Sequence, residues 1–218
     1  MKKRRKIITV AIDSPAAAGA GTQAKYIARE YNLLYLDTGK IYRLIGQLRL
    51  KYNKKFNYKL AQNIIKKLSI KELNNKNLLS SKVATSASII AKDKKIRNLV
   101  KRFQLECAYN PPSKYSGSVL DGRDITSVIM KKAMFKFYIT ANLKVRARRR
   151  FLEFKKLGKI TSYNEVLKSL RNRDNLDKNR KYSPLKKTKD SILINTTKLS
   201  KKSCFIKIKR IMDNKLNN

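Results

Sequence analysis

The chain has 218 residues, 42% of them hydrophobic, enough for one α/β core with small appendages. Its 54 Lys and Arg against 14 Asp and Glu leave a net charge of +40, which points to anionic partners such as nucleotides, RNA or polyphosphate. The lysines are spread along the whole chain, so a biased composition explains the charge as readily as a dedicated site does. Histidine is absent, which excludes a His-based triad, a His general base and His metal ligands. Cys107 and Cys204 lie far apart without metal-ligand spacing, and a reduced, cytoplasmic protein is the simplest account. A basic start, Met1-Lys2-Lys3-Arg4-Arg5-Lys6, precedes an apolar run that stops at Asp13, too short for a signal-peptide core. No run elsewhere reaches membrane-spanning length.

That apolar run, Ile7-Ile8-Thr9-Val10-Ala11-Ile12, is β-branched and reads as a buried strand. Small residues follow it, and a helical pattern begins at Thr22 with Tyr26 and Ile27 on one face. A strand, a loop of small residues and a helix start are the parts of a phosphate cradle, because loop amides and first-turn amides converge on one anion. The loop Ser14-Pro15-Ala16-Ala17-Ala18-Gly19-Ala20-Gly21-Thr22 approaches the pattern G-x-x-x-x-G-K-[ST]. Gly19 holds the second glycine position, Ser14 replaces the first glycine, Ala20 replaces the lysine, and Thr22 brings a hydroxyl one residue late. If the loop needs a positive φ at position 14, Ser14 is a handicap.

Residues 33–36 read as a short buried strand, and Asp37-Thr38-Gly39 as a turn into a helix over 40–52 with Ile41, Leu44, Ile45 and Leu48 inward. Residues 53–80 form an appended segment, with Leu60, Ile64, Ile65 and Leu68 as a helical stripe and no pattern for strands. Two helices follow over 83–92 and 93–108. Residues 116–120 form a strand that delivers Asp121-Gly122-Arg123-Asp124 to its carboxyl end, where parallel sheets collect ligands. Arg123 suits a phosphate clamp, Asp124 can accept from an amino group, and Asp121 can hold the hydration shell of a divalent cation. A strand over 134–139 and a helix to about 157 lead to a second basic stretch, residues 170–180. The last strand covers 190–195 and the last helix 196–212, with a fraying end. This alternation predicts a parallel α/β fold.

The loop, the segment Leu34-Tyr35-Leu36-Asp37-Thr38-Gly39-Lys40-Ile41-Tyr42-Arg43 and the Asp121-Gly122-Arg123-Asp124 turn together resemble the bacterial cytidylate kinases, in order and in spacing. The resemblance extends weakly over most of the chain. It implies a P-loop three-layer α/β/α sandwich with a five-stranded parallel sheet in one domain, 1–218. Within it are a nucleotide-binding insertion at about 38–108 and a lid at about 158–182. It implies ATP with Mg²⁺ as cofactors, and CMP and dCMP as the phosphorylated substrates. The loop residues 14–22 would hold ATP, with Mg²⁺ near Thr22 and Asp121 and no direct protein ligand. Thr38, Tyr42 and Arg43 would line the monophosphate site, Ser88 and Arg97 would contact the cytosine nucleotide, and Asp121, Arg123 and Asp124 would join them. Arg173, Asp177 and Arg180 match lid positions, with Arg146, Arg149 and Arg173 as the catalytic cations. Ala20 predicts slowed turnover unless a neighbour such as Lys40, Arg146 or Arg149 replaces the lysine. A catalytically impaired nucleotide binder and a basic RNA-binding protein are the alternatives. The chain is expected to be a monomer, off the membrane, with non-specific nucleic-acid binding through its charge.

Overall fold

A computed structural model describes residues 7–217 of the chain. The basic start, residues 1–6, and Asn218 lie outside the described residues. Five strands form one parallel sheet: β1 (Ile8–Asp13), β2 (Leu33–Asp37), β3 (Gly117–Gly122), β4 (Phe135–Thr140) and β5 (Ile192–Asn195). Their order is β2-β3-β1-β4-β5, so the two phosphate-site strands, β1 and β3, are central neighbours. Asp13 is paired with Gly122 and Ile12 with Asp121, which places the loop and the Asp-Gly-Arg-Asp turn side by side at the carboxyl edge.

Side chains alternate across the sheet. Val10, Ile12, Val119, Phe135, Phe137, Ile139 and Ile194 face α1 (Ala20–Glu30) and α8 (Lys201–Leu216). Ala11, Leu34, Leu36 and Leu120 face the helices inserted between β2 and β3, and both faces are therefore covered. Those inserted helices are α2 (Thr38–Tyr52), α3 (Tyr58–Lys66), α4 (Ser81–Ile90) and α5 (Lys94–Tyr109). Among the described residues the insertion holds no strand, as its sequence pattern predicts. Helix α2 packs tightly on α4 because Gly46 has no side chain: a Cβ there would meet the Ala87 backbone nitrogen at 2.7 Å. A third, smaller cluster joins α6 (Leu143–Lys156) and α7 (Tyr163–Asn179) to Ala16 and Ala17 of the loop.

Several boundaries differ from the sequence reading. Helix α1 begins at Ala20 rather than Thr22, because Gly19 takes the left-handed cap position and the helix follows at once. Helix α2 begins at Thr38, two residues before 40. Helix α8 starts at Lys201 rather than 196, capped by the Ser200 side chain on the Ser203 amide, and it continues through Leu216 rather than fraying after 212. Residues 170–179, read as a charged stretch, are the second half of α7. That helix opens on a capping box, Ser162 with Glu165, and buries Val166, Leu170, Asp174 and Asp177. A single π-helical turn, Ile125–Ile129, follows the Asp-Gly-Arg-Asp turn. Both cysteines are free and buried, and burial pushes the Cys107 thiol up to about 11.

Candidate active site

The loop after β1 is built from backbone. Its left-handed residues are Ala17 (φ 60) and Gly19 (φ 94), while Ser14 is not among the positive-φ residues, so serine carries no conformational handicap there. The Ser14 amide donates to the Gly122 carbonyl at 3.2 Å. Two loop carbonyls are drawn away from the cavity: Ala16 O accepts from Arg146 Nη1 at 2.9 Å, and Ala18 O accepts from the Thr196 hydroxyl at 3.0 Å. With those carbonyls held by partners, the intervening amides and the first-turn amides of α1 are left to meet an anion. The helix dipole adds partial positive charge at the same spot.

Asp13, fully buried at the end of β1, anchors the loop to the π-helical turn. Its carboxylate accepts from the amides of Ile125 at 2.7 Å and Thr126 at 2.9 Å, and from the Thr126 hydroxyl. Burial outweighs those three donors and pushes the carboxyl up to about 6. Sequence reasoning passed over Asp13. A carboxylate that ends a central strand beside a glycine-poor loop was the available signal.

Opposite the loop lies a wall of arginines and carboxylates. Loop and wall together bound a cavity of about 420 Å³. Every residue from Ser14 to Thr22 lines it, as do Thr38, Tyr42, Arg43, Ser88, Arg97, Asp121, Arg123, Asp124, Arg149, Arg173, Asp177 and Arg180. The motifs separated by up to 166 residues, from Ser14 to Arg180, therefore share one space. Asp177 is the hub of the wall: it accepts from Arg123 Nε at 2.8 Å and lies 3.5 Å from Arg180 and 3.9 Å from Arg173. Despite its burial, the three guanidinium groups, Arg123 first, hold its carboxyl below the usual carboxylate range. Asp124 pairs with Arg97, and Arg97 Nη1 also donates to the Ala91 carbonyl at 3.0 Å. The Arg97 guanidinium lies 5.3 Å over the ring of buried Tyr42. Arg43 donates to the Leu78 carbonyl at 2.8 Å, Thr38 to the Asp121 carbonyl at 2.8 Å, and Ser88 back to the Ala84 carbonyl at 3.1 Å within its own helix. Gly122 admits this closeness, since a Cβ there would meet the Thr38 hydroxyl at 2.4 Å.

Some donors in the wall make no hydrogen bond to the protein. Arg97 Nε, Arg173 Nε and Arg180 Nη2 are buried without a hydrogen bond. Burial, reinforced by the neighbouring Arg123, Arg43 and Arg150 charges, pulls the Arg173 guanidinium down to about 10. Cations crowded together with unused donors favour an anion of several charges.

Asp121 occupies the space between wall and loop. Tyr35 donates to its carboxylate, yet its buried Oδ1 has no hydrogen-bond partner. Burial and then the nearby Asp37 charge push Asp121 up to about 8. Thr22 lines the same cavity from the first turn of α1. An orphaned carboxylate oxygen near a second carboxylate fits a hard, oxygen-seeking cation.

Two sequence expectations are corrected. Arg146 does not line the cavity. Its guanidinium is spent on the carbonyls of Ala141 and Ala16 and on Asp174, so it braces the loop instead of reaching a phosphate. Lys40 is likewise absent from the residues that line the cavity. Arg149 does line the cavity, but it also donates to the Thr196 hydroxyl at 3.0 Å and the Thr196 carbonyl at 2.7 Å. Conversely, Asp37, Gly39, Arg150 and Glu153 line the cavity without having been singled out. Asp37 was read as a cap, yet it makes no side-chain cap bond.

The five-stranded parallel sheet, the amide cradle after β1 and the arginine wall facing it define a P-loop nucleotide-binding kinase fold. A family model described as cytidylate kinase matches residues 10–214. A cytidylate kinase from Bartonella tribocorum is 40% identical over 201 residues, covering 92% of both chains. One from Clostridium tetani is 36% identical over 219 residues, covering 94% of both. A crystal structure of an uncharacterized protein from Eubacterium ventriosum shares the fold, with a TM-score of 0.56 at 16% identity over 94% of this chain and 98% of that one. The chain belongs to the cytidylate kinase family. Neither alternative reading, the impaired binder or the RNA-binding protein, gains support from these relatives.

Proposed function

We propose that the protein transfers the γ-phosphoryl group of ATP to CMP and dCMP. The observation that carries this reading is the single cavity with an amide cradle at one end and a carboxylate-ordered arginine wall at the other. Two anions must meet for phosphoryl transfer, and each end suits one. Residues 14–22 hold the ATP phosphates through backbone N–H groups. Residues 38–108 act as the nucleoside monophosphate insertion and 158–182 as the lid.

At the acceptor end, Thr38, Tyr42, Arg43, Arg123 and Arg180 hold the CMP phosphate and sugar. Arg123 Nε is already bonded to Asp177 and Nη1 to the Gly122 carbonyl, so Nη2 is the part left for phosphate. Ser88, Arg97 and Asp124 face the base. A carboxylate at Asp124 accepts from the cytosine amino group and repels the carbonyl that uracil carries there. Arg149 and Arg173 serve the transferring group. Catalysis is positioning plus charge neutralisation, with no dedicated base demanded.

The orphaned Asp121 Oδ1, with the Asp37 charge near it and Thr22 lining the same cavity, fits Mg²⁺ held through its water shell. When bound, the ion supplies positive charge to the nucleotide phosphates. No helix among the described residues is long and apolar enough to cross a membrane. The test is ADP formation with CMP, dCMP, UMP and AMP as acceptors. Turnover with CMP and dCMP well above UMP and AMP is expected, and absence of CMP-dependent ADP overturns the reading.

A further inference from the structure

Tyr35 does not line the cavity, yet its hydroxyl reaches a carboxylate that does. It lies on β2 two residues before Asp37, and the register of β2 against β3 pairs Tyr35 with Val119 and Asp37 with Asp121. Side chains two apart on a strand share a face, so Tyr35, Asp37 and Asp121 stand on one side of the sheet. Val119 packs in the cluster that this side buries against α1 and α8, and the Tyr35 ring packs on the same cluster. The core therefore fixes the ring, while the hydroxyl donates to Asp121 at the carboxyl edge.

The start of α1 is shaped around this contact. A Cβ on Gly21 would stand 3.3 Å from the Tyr35 hydroxyl and 3.6 Å from Asp121 Oδ2. Glycine lets the first turn of α1 come down on the pair, so hydroxyl, carboxylate and phosphate loop meet in one place. Asp121 Oδ1 has no hydrogen-bond partner, so the Tyr35 bond falls on Oδ2, the oxygen beside Gly21. A phenol has one proton to give, so it engages one carboxylate oxygen and leaves the other unspent. Among the described residues Tyr35 is the one hydrogen-bond donor to this carboxylate. Asp37, on the same face, brings charge near Asp121 but no donor.

We propose that Tyr35 is the positioning residue of the cation site: its hydroxyl fixes the Asp121 carboxylate by one oxygen and keeps Oδ1 available to the hydrated divalent cation that accompanies the nucleotide phosphates. This rests on the Mg²⁺ reading above. Residues behind a metal site set the orientation of the groups that meet the ion, and their loss shows in metal affinity. A carboxylate without the Tyr35 donor has no protein hydrogen bond to stop it turning about its own Cβ–Cγ bond. Phenylalanine at position 35 keeps the ring in the core and removes only the hydroxyl.

The experiment titrates Mn²⁺, a probe with the same preference for oxygen ligands, into the complex of the protein with ADP and follows the free ion by electron paramagnetic resonance. Parent, Tyr35→Phe, Asp121→Asn and the double variant are compared, each first checked for a cooperative thermal melt. Losing a hydrogen bond to a charged group should weaken Mn²⁺ in the Tyr35→Phe complex by about tenfold. Calorimetry without metal should find ADP and CMP affinities within about twofold of the parent, because the ring and the loop amides are untouched. In the Asp121→Asn background the added Tyr35→Phe change should alter Mn²⁺ affinity by less than about twofold, since the two residues act as one unit. Steady-state kinetics should show a higher Mg²⁺ requirement for Tyr35→Phe, with kcat recovered at saturating metal. Parent-like Mn²⁺ affinity in Tyr35→Phe, an equal loss of ADP affinity without metal, or an undiminished effect in the Asp121→Asn background overturns the proposal and leaves the kinase reading standing. An Asp121→Asn complex that holds Mn²⁺ as well as the parent overturns the cation site and the proposal with it, and a parent that makes no ADP with CMP overturns the kinase reading.

Discussion

The two ends of the cavity hold anions in different ways. The loop end is made of main chain: Ala16 to Gly21 offer amides, with Arg146 and Thr196 pulling the carbonyls aside. The wall end is made of side chains: Arg97, Arg123, Arg173 and Arg180, ordered by Asp124 and Asp177, with Arg43 held by the Leu78 carbonyl. Amides belong to every residue type, so the loop keeps its cradle with Ser14 and Ala20 in place of glycine and lysine. The wall has less tolerance, since four of its guanidinium groups are placed by two carboxylates.

The largest effect should come from breaking the wall at its hub. Asp177→Ala leaves Arg123, Arg173 and Arg180 facing one another without a buried counter-charge. Removing one partner of a buried pair costs roughly 3–5 kcal/mol. Urea unfolding of the nucleotide-free variant should show a loss of that order, partly recovered by CMP. A loss near zero would mean that solvent, not Asp177, balances the arginines.

The loop end is sharpened by pH. Asp13 has a carboxyl pushed up to about 6 by burial, against an ordinary value of 3.8. The native state then binds more protons than the unfolded chain between about pH 4 and 6, so stability contributed by this group falls as pH rises through that window. The slope integrates to about 3 kcal/mol, an order-of-magnitude figure. Asp13→Asn should flatten the slope, and it should also destabilise at all pH values because an amide N–H₂ would face the Ile125 or Thr126 donors. Equal slopes in parent and variant, from denaturant melts across pH 4–7, would assign the pH dependence elsewhere.

The third effect separates the two ends directly. Arg123→Ala removes a guanidinium from the acceptor end only. Losing a charge-assisted hydrogen bond costs about 1.5–3 kcal/mol, so CMP affinity should fall by roughly tenfold to a hundredfold. ATP affinity, which depends on loop amides, should be nearly unchanged. Equal loss of both nucleotides by calorimetry would show that the ends are not independent.

Local pattern made much of this readable beforehand. The β-branched run before Asp13, the small-residue loop and the Asp-Gly-Arg-Asp turn are contiguous, and their chemistry follows from residue type and neighbour. Their order along the chain was enough for the parallel α/β layout and for the family resemblance. Helix α7 was readable too but was obscured by its charge: Ser162-x-x-Glu165 is a capping box, and Val166 and Leu170 lie one turn apart.

Other features had no local signal. Arg146 sits in a run of four arginines that composition cannot tell apart, and only packing decides that it braces Ala16 and Asp174 while Arg149 and Arg150 reach the cavity. The left-handed residue is Ala17 and not position 14, and the carbonyls on either side of it are held by Arg146 and Thr196, both distant in sequence. Asp177 becomes a hub because α7 folds back across the carboxyl edge of β3, which brings Arg123 to it over 54 residues of chain. The sequence by itself determined the elements, their order and the phosphate-seeking chemistry, because propensity and periodicity act over a few residues. Tertiary structure alone decided which of many equivalent cations meet one space, because charges select partners by distance and burial, and both exist only after the sheet and its helices have packed.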